Sequence, residues 1–460
     1  MPYILHKYYP WRNIAFAIGE GLLIFLVINC INIYWSGVEL FLADLAVYSL
    51  RSIIVTSMFQ LCLYYFDLYD LSIIPNFADS ITRILQAFGF GCIALALLYY
   101  LFPGIIISTK VFWSGFLIVC LTISLWRYIY FVILERRMFA QPIALVGSGA
   151  LAASIVSAIE GKKDSGYKIV ALVRRDGGAE DAHAVPVYAD VRGLNELCSQ
   201  RKVEKIVLAL DERRGRLPMS DLIDYKFMGV EILDGVGFFE ELTGTMPVER
   251  VTPSWLLFSG GFRVARLTNL YKRMLDVAVA AAGLIFSLPI FLLSALIIKL
   301  ESPGPIFYCQ ERVGLHGKPF KVIKFRSMRA DAEKDGPVWA STNDSRVTRF
   351  GEFIRKVRID EIPQMINVLR GDMSFVGPRP ERPVFVEQLA QVIPFYALRH
   401  VVKPGLTGWA QVYYPYGASE EDALRKLEYD LYYIKNLSIT MDLFVIFQTV
   451  KIVLFRQGAR

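Results

Sequence analysis

Long apolar runs dominate the first third of the chain. Residues 14–35, 40–66, 84–107 and 111–134 are almost continuously apolar, and each is long enough to cross a hydrocarbon core of about 30 Å as a helix. No small-residue cleavage site follows the first run, so it predicts a membrane span and not a signal peptide. The pattern therefore predicts a four-helix transmembrane bundle over residues 1–138.

Charged residues orient this bundle. Four basic residues flank it, two before the first run and two after the fourth: Lys7, Arg12, Arg136 and Arg137. Because basic residues are enriched on the cytoplasmic side, we expect both ends of the bundle in the cytoplasm. Three ionisable residues fall inside the runs: Glu20, Arg51 and Arg127. Such residues can mark a functional pathway, but helix pairing or a position near the membrane surface is the simpler interpretation.

Beyond about residue 141 the pattern changes to short apolar segments that alternate with helical stretches. The segments cover residues 142–149, 167–173 and 204–211. Strands that alternate with helices predict a parallel, doubly wound sheet, and hence an α/β Rossmann-like cytoplasmic domain over residues 139–262. Residues 242–262 are turn-rich and are expected to form a linker.

A glycine motif follows the first of these strands. Residues 147–152 read G-S-G-A-L-A and match the dinucleotide fingerprint G-x-G-x-x-A. The second strand runs into Arg174, Arg175 and Asp176, whereas an NAD site usually places an acid at the end of this strand. The glycines of the fingerprint are present but the acid at the strand end is not. This favours a structural or regulatory domain over a working NAD site, and no residue is expected to bind a cofactor there.

A fifth apolar run covers residues 277–298 without a charge. Pro289 interrupts it, and Ser287 can satisfy a carbonyl that the proline leaves free. Residues 302–380 then carry 14 Lys and Arg against 9 acids, and a crossing would place this basic block outside. A re-entrant membrane helix over about residues 274–300 is therefore expected, as a helical hairpin that is broken at Pro289. A later apolar run, residues 439–455, is expected to lie in the membrane interface.

Two adjacent carboxylates, Asp360 and Glu361, open a motif that ends at Pro378-Arg379-Pro380. A carboxylate nucleophile, a metal-binding carboxylate and a fixed arginine are what phosphoryl transfer needs. An Asp-Glu pair at the start of a helix is also an ordinary N-terminal cap, so the doublet by itself leaves both interpretations open.

Four sequence blocks, one of which contains this motif, help to decide between the catalytic and the capping interpretation. They are K-R-M-L-D-V-A-V through K-F-R-S-M, R-K-V-R-I-D-E-I-P-Q through G-P-R-P-E-R-P, L-R-H-V-V-K-P-G-L-T-G-W-A-Q-V and L-E-Y-D-L-Y-Y-I-K-N-L-S. From about residue 270 onward the chain resembles the bacterial sugar transferases that are monotopic phosphoglycosyl transferases. As a whole it resembles the large membrane forms that prime exopolysaccharide and O-antigen synthesis. The blocks E-R-R-G-R-L-P and P-S-W-L-L-F-S-G-G-F resemble the exosortase-associated exopolysaccharide branch.

The resemblance implies transfer of hexose-1-phosphate from a UDP-sugar to undecaprenyl phosphate, with release of UMP. Asp360 is the expected nucleophile, which would form a covalent phosphosugar–aspartate intermediate. Glu361, with Asp360, is the expected site for Mg²⁺, a hard ion that prefers few carboxylates plus phosphate oxygens. Glucose is the first expectation for the sugar, with galactose or an N-acetylhexosamine as alternatives.

The family blocks also supply expected substrate-binding residues: Lys324, Arg326, Arg379, Arg399 and Asp430. Asp430 has a structural helix-pairing role as its alternative. Asp372 and Lys403 also match family blocks. For Trp409 and Gln411 two interpretations stay open, contact with the uracil ring or packing alone. These residues lie in an expected mainly α catalytic domain, residues 263–460.

Composition excludes several classes. The chain has 460 residues, is 54% hydrophobic and carries a formal net charge of +7, which suits an anionic inner-leaflet surface. Six scattered cysteines and four scattered histidines give neither a disulfide framework nor a zinc site, and no nucleic-acid-binding module is recognisable. We expect a multi-pass protein of the bacterial inner membrane with its active site on the cytoplasmic face.

The expected partners are membrane lipid, the two substrates and the exopolysaccharide assembly enzymes that act downstream; the N-terminal domains offer surfaces for a homodimer. Two alternatives stay open. The first is a nucleotide-sensing membrane scaffold, in which the glycine loop of residues 147–152 would be the active part. The second is a direct glycosyltransferase that releases UDP instead of UMP.

Overall fold

The computed structural model describes residues 3–4, 7–8, 11–69, 77–162, 164–174, 186–200, 202–210, 219–262, 266–329, 346–414, 417 and 419–455. The chain forms two compact units, and the boundary between them lies at Phe238 and Phe239. The division into residues 1–138, 139–262 and 263–460 stays a prediction.

The first unit begins with two short strands and five helices: β1 (Tyr3–Ile4), β2 (Lys7–Tyr8), α1 (Trp11–Ser36), α2 (Val38–Ala43), α3 (Leu45–Tyr65), α4 (Phe77–Leu101) and α5 (Thr109–Glu135). Helices α1, α3, α4 and α5 are long and apolar enough to cross a membrane. The second apolar run is divided at Asp44 into α2 and α3, so the expected single helix over residues 40–66 is corrected.

A buried ion pair lies inside this group of helices. Arg127 Nε on α5 is 2.7 Å from Glu20 Oε1 on α1. Arg127 Nη1 also donates to the Leu68 carbonyl at 2.6 Å, and the rings of Phe16 and Tyr69 flank the guanidinium. The pair therefore joins α1, α5 and the segment after α3, as the helix-pairing interpretation expected.

A five-stranded sheet follows in the same unit. Its strands are β3 (Gln141–Val146), β4 (Tyr167–Val173), β5 (Val187–Tyr188), β6 (Lys205–Leu208) and β7 (Glu231–Asp234). All pairs are parallel, in the order β5-β4-β3-β6-β7. The helices of this region are α6 (Ala150–Glu160), α7 (Asn195–Ser199), α8 (Met219–Phe227) and α9 (Gly235–Thr243). The predicted parallel sheet is confirmed.

The glycine loop of this sheet is closely packed. Gly147 has φ 146°, and a Cβ atom there would collide with the Ala209 carbonyl. Because no other residue fits so close to a neighbouring backbone, the first glycine of the fingerprint has a sufficient structural explanation. Arg175 and Asp176 lie outside the described residues.

The second unit is mainly helical, with two small pairs of strands. In chain order its elements are α10 (Pro253–Phe258), α11 (Arg266–Glu301), β8 (Phe307–Val313), β9 (Pro319–Phe325), α12 (Arg349–Lys356), α13 (Gln364–Arg370), β10 (Ser374–Val376), α14 (Pro383–Val392), β11 (Gly405–Thr407), α15 (Trp409–Tyr413), α16 (Glu420–Lys435) and α17 (Ile439–Phe455). Strands β8 and β9 form an antiparallel hairpin, and β10 pairs with β11 in parallel.

Helix α11 continues through Pro289, so the expected break at this proline is wrong, while re-entry into the membrane stays a prediction. The helix is long and apolar enough to cross a membrane. Near its start, Lys272 Nζ lies 2.6 Å from Asp442 Oδ2 of α17 and donates to the Val376 carbonyl. Near its end, Ile298 packs in a cluster with Phe325 of β9. Both ends of the helix therefore contact the body of the second unit.

Candidate active site

The Asp360–Glu361 doublet lies in a tight turn between two helices. Helix α12 ends at Lys356, a 3-10 turn covers Ile359–Glu361, and Pro363 caps α13. Arg358, just before the turn, has φ 58°, a left-handed conformation that costs free energy in a residue with a side chain. Since Asp360 makes no side-chain cap to α13, the ordinary N-cap interpretation of the doublet is wrong.

Asp360 is buried and unpaired. It is 9% exposed, and within the described parts of the chain no group donates a hydrogen bond to its carboxylate. Burial, and then the neighbouring charge of Glu361, raises the pKa of Asp360 to about 6, although Lys324 and Arg379 oppose this shift. A free carboxylate that is still ionised near pH 7 is available as a nucleophile.

Glu361 has the opposite environment. Arg379 Nη2 lies 2.8 Å from its Oε1, Lys324 Nζ lies 3.5 Å from the same oxygen, and Arg358 Nη1 lies 3.6 Å from Oε2. Burial by itself would raise the pKa of Glu361, but the charges of Arg379, Lys324 and Arg358 outweigh burial and lower it. Glu361 is therefore the carboxylate with the lower pKa, held by basic side chains, whereas Asp360 is the carboxylate with the raised pKa.

The site carries more positive than negative groups. Lys324 reaches it from β9, and Arg355 of α12 lowers the pKa of Asp360 by its charge. Burial lowers the pKa of Lys324 itself, against the effect of Glu361. With Arg358 and Arg379, four basic residues surround two carboxylates, which suits an anionic ligand such as a diphosphate. The sequence predictions did not include Arg355 and Arg358, although the basic run R-K-V-R, which ends two positions before Asp360, was a signal for both.

Arg399 and Asp430 form a buried pair behind the site. Arg399 Nη2 lies 2.8 Å from Asp430 Oδ2 and also donates to the Arg379 carbonyl at 3.0 Å. Its Nη1 donates to Tyr396 Oη at 2.6 Å. These contacts hold the backbone of Arg379, so the structure gives both residues a supporting position instead of one open to substrate.

Arg326 does not join the other predicted residues. Its guanidinium donates to the Ser302 carbonyl at 2.7 Å, to Ser302 Oγ at 2.9 Å and to the Pro303 carbonyl at 3.0 Å. These acceptors follow the end of α11, where helix carbonyls lack intrahelical partners. Arg326 is buried and caps the C-terminal end of α11. This structural role explains the residue, which was expected either to bind phosphate or to lie on an exposed edge.

Four family-block residues lie away from the carboxylate pair. Trp409 is buried, donates to the Gly244 carbonyl at 2.9 Å and packs against Tyr432, so packing explains it without a uracil contact. Lys403 and Asp372 lie at the far end of α13, where Asp372 accepts a hydrogen bond from Asn367 at 3.4 Å. Gln411 donates to the Leu406 carbonyl.

The carboxylate pair fits one magnesium ion that is shared with a substrate. The described residues contain no cluster of three or more His, Cys, Asp or Glu side chains that could hold a metal by themselves. No hydrogen-bond donor to Asp360 is found among the residues that the structure describes, and Mg²⁺ commonly uses one or two carboxylates with phosphate and water oxygens. The metal role of Asp360 and Glu361 stays a prediction.

A helix apolar enough to enter a membrane and a basic pocket around a free carboxylate define a membrane-associated enzyme of phosphoryl-transfer type. Comparison with known proteins makes this class specific. The bacterial sugar transferase family matches residues 267–456, and a CoA-binding domain family matches residues 64–216, which fits the Rossmann-like prediction.

Three relatives show the extent of the similarity. The undecaprenyl-phosphate glucose phosphotransferase of Komagataeibacter xylinus is 30% identical over 406 residues, 85% of this chain and 75% of the relative. The UDP-N-acetylgalactosamine-undecaprenyl-phosphate N-acetylgalactosaminephosphotransferase of Aeromonas hydrophila is 44% identical over 221 residues, 48% of this chain and 52% of the relative. The UDP-glucose:undecaprenyl-phosphate glucose-1-phosphate transferase of Escherichia coli (strain K12) is 38% identical over 274 residues, 59% of this chain and 55% of the relative.

The chain belongs to the bacterial sugar transferase family, and it is similar to members of the undecaprenyl-phosphate hexose-1-phosphate transferase type. The expected family is thereby confirmed. The match spans about half the length of the Aeromonas and Escherichia relatives.

Proposed function

We propose that this protein transfers hexose-1-phosphate from a UDP-sugar to undecaprenyl phosphate, releases UMP and thereby primes exopolysaccharide synthesis. The observation that carries the proposal is the buried Asp360 carboxylate. No described residue donates a hydrogen bond to it, and it lies beside Glu361, which three basic side chains surround. The relatives named above support the substrate class.

The first half-reaction uses Asp360 as the nucleophile. An Asp360 carboxylate oxygen attacks the β-phosphorus of the UDP-sugar, and the bond from that phosphorus to the bridging oxygen breaks. UMP leaves with the bonding electron pair, and hexose-1-phosphate stays on Asp360 as an acyl phosphate. Because the carboxylate is already ionised near pH 7, no general base is needed for this step.

The second half-reaction releases the sugar phosphate. A phosphate oxygen of undecaprenyl phosphate attacks the same phosphorus, the bond to Asp360 breaks, and the carboxylate is regenerated. Arg379 and Lys324 provide donors for phosphate oxygens in both steps, because both side chains lie within 3.5 Å of Glu361 Oε1, beside Asp360. Mg²⁺ bound by Glu361 and Asp360 would screen the diphosphate charge.

The membrane arrangement follows from the contacts of α11. Ala280 and Phe291, eleven residues apart in the helix, pack in clusters with Val322 and Phe325, three residues apart in β9. Between them Phe286 is 83% exposed. A helix that packs against β9 on both sides of an exposed middle suits a re-entrant element, whose middle enters the bilayer.

The remaining topology follows from this arrangement. Helices α1, α3, α4 and α5 would cross the inner membrane as a four-helix bundle, and the second unit would lie on the cytoplasmic face, where UDP-sugars are available. Impermeant thiol labelling of single-cysteine variants in intact cells tests this. Labels on residues of α12 or α14 before permeabilisation would refute a cytoplasmic second unit.

The covalent scheme is tested by isotope exchange. Labelled UMP should enter the UDP-sugar pool without any lipid acceptor, because the first half-reaction is reversible. The Asp360→Asn variant should lose this exchange together with turnover. Release of UDP instead of UMP would favour a direct glycosyltransferase, and absence of all nucleotide release would favour the scaffold.

The sugar is tested by a panel of UDP-sugars. Glucose is the first candidate, as in the Komagataeibacter and Escherichia relatives. N-acetylgalactosamine is the second, because the Aeromonas relative is more similar over the residues that it matches. UMP release with undecaprenyl phosphate, measured for each UDP-sugar including UDP-galactose, separates these candidates.

A further inference from the structure

The segment expected to be a linker contains a short helix with an exposed apolar end. In α10, Leu257 is 77% exposed and Phe258 is 83% exposed. Adjacent large apolar side chains with this exposure are unusual on a surface that faces water only. The reaction proposed above uses neither residue.

The other side of α10 is fixed to the second unit. The Trp255 ring lies beneath Lys435 Nζ, at 4.3 Å from the ring centroid, and Lys435 Nζ lies 2.6 Å from Glu240 Oε2. The Phe262 amide donates to the Lys435 carbonyl, and Gly261 passes so close that a Cβ atom would be 2.7 Å from that carbonyl oxygen. The orientation of α10 is therefore set by packing, and its apolar end is held outward.

Two helices that expose apolar side chains begin close to α10 or to its partner Lys435 along the chain. Seven residues separate its end from the start of α11. Helix α17 begins four residues after Lys435, and its Asp442 binds Lys272 of α11. Exposed apolar side chains continue along both helices: Leu267, Leu270, Tyr271 and Met274 of α11, and Leu443, Val450 and Val453 of α17.

We propose that α10 is a membrane-interface anchor of the second unit, with Leu257 and Phe258 inserted among lipid acyl chains beside the first turns of α11. A lipid surface is the occupant favoured by the structure, because seven residues separate α10 from the membrane-length helix α11, whose first turns also expose large apolar side chains. Trp255 with its overlying Lys435 is also typical of the headgroup level, where amphipathic side chains accumulate. The anchor would hold the Asp360 site at a constant height above the bilayer.

Photo-crosslinking in the full chain tests the lipid contact. A benzophenone amino acid replaces Phe258 in one variant and Phe227 of α8, which is 88% exposed, in the matched control. In nanodiscs the variant at position 258 should give a lipid adduct by mass spectrometry, and the control should give none. A crosslink from position 258 to a second copy, no lipid adduct there, or equal adducts at both positions would overturn the proposal.

The effect on turnover rests on the proposed function and is measured separately. The double variant Leu257→Ser with Phe258→Ser should slow transfer to undecaprenyl phosphate about tenfold, the factor that corresponds to about 1.4 kcal/mol of lost insertion free energy. Exchange of UMP without acceptor should stay unchanged, and Phe227→Ser should change neither rate. Equal loss of both rates would show a folding role and overturn the anchor. A lipid adduct at position 258 with no UMP exchange in the wild type would refute the proposed function alone.

Discussion

Arg379 Nη2 lies 2.8 Å from Oε1 of Glu361, so the arginine expected to bind phosphate holds the carboxylate expected to bind metal. Without substrate, each group satisfies the other. A diphosphate that takes over Arg379 would free one oxygen of Glu361 at the same time. Under the proposed function, binding of the nucleotide sugar and binding of Mg²⁺ would therefore be coupled through this ion pair.

Replacing the proposed nucleophile should abolish the reaction. Asp360→Asn keeps the side-chain volume but removes the anionic oxygen, so turnover and UMP exchange should both fall by roughly a thousandfold or more. Glu352→Gln, an exposed acid in α12, is the matched control and should retain both rates. Substantial exchange in Asp360→Asn would contradict a covalent intermediate on this residue.

Arg379 should be sensitive even to a conservative change. Lysine keeps the charge but loses the planar fork, so Arg379→Lys should lower kcat/KM for the UDP-sugar by roughly ten- to a hundredfold. Steady-state kinetics of UMP release measure this. Arg382→Lys, three residues further on, should behave like the wild type. If both variants lose activity equally, the loop and not the Arg379 side chain is responsible.

The pH dependence of UMP exchange should report Asp360. Its pKa is raised to about 6, and only the ionised form attacks, so the rate should fall about tenfold per pH unit below that value. The charge of Arg355 lowers the pKa of Asp360, so Arg355→Met should move this acid limb to higher pH. Lys356→Met, exposed on the same helix, should leave the profile unchanged. A shift to lower pH in Arg355→Met would contradict the electrostatic assignment.

The Glu20–Arg127 pair should matter for stability and not for chemistry. Arg127→Met leaves Glu20 charged and unpaired in an apolar interior, which costs about 3–5 kcal/mol for a buried pair. A marked fall in the thermal unfolding midpoint in detergent is expected, with partial recovery when Glu20→Gln is added. Arg51→Met, whose arginine donates to the Gly104 carbonyl, is the milder comparison. No recovery in the double variant would argue against direct coupling.

Arg326 provides a test that separates a cap from a phosphate ligand. Arg326→Lys loses several hydrogen bonds at the end of α11 and should destabilise the second unit by about 1.5–3 kcal/mol. The KM for the UDP-sugar should stay within about twofold of the wild type, since Arg326 makes no contact with Glu361. A large rise in KM at unchanged thermal stability would restore the phosphate-binding interpretation.

The sequence was sufficient for the features that depend on local pattern. The apolar runs predicted α1, α3, α4, α5 and α11, since length and hydropathy decide such helices. Alternating strands and helices predicted the parallel sheet. Family blocks also brought together three residues that the structure places in contact, Lys324, Glu361 and Arg379.

Burial and long-range pairing were beyond the sequence. Arg326 and Lys324 are two residues apart, so alternation along a strand would place both side chains on the same face. Strand β9 ends at Phe325, however, and beyond it Arg326 donates to the end of α11, whereas Lys324 lies beside Glu361. Arg399 and Asp430 match family blocks, yet their mutual pairing is visible only in three dimensions. Helix α10 lies within the predicted linker, because six residues are too few to show a period.

Helix α11 has a consequence for how the work of this chain is divided. The family match begins at residue 267, one residue after the helix starts, and continues to residue 456. One continuous segment therefore contains both the membrane-length helix and the proposed site residues. If α11 enters the bilayer as proposed, this segment has its own contact with lipid and does not need the four helices and the sheet before it for that contact.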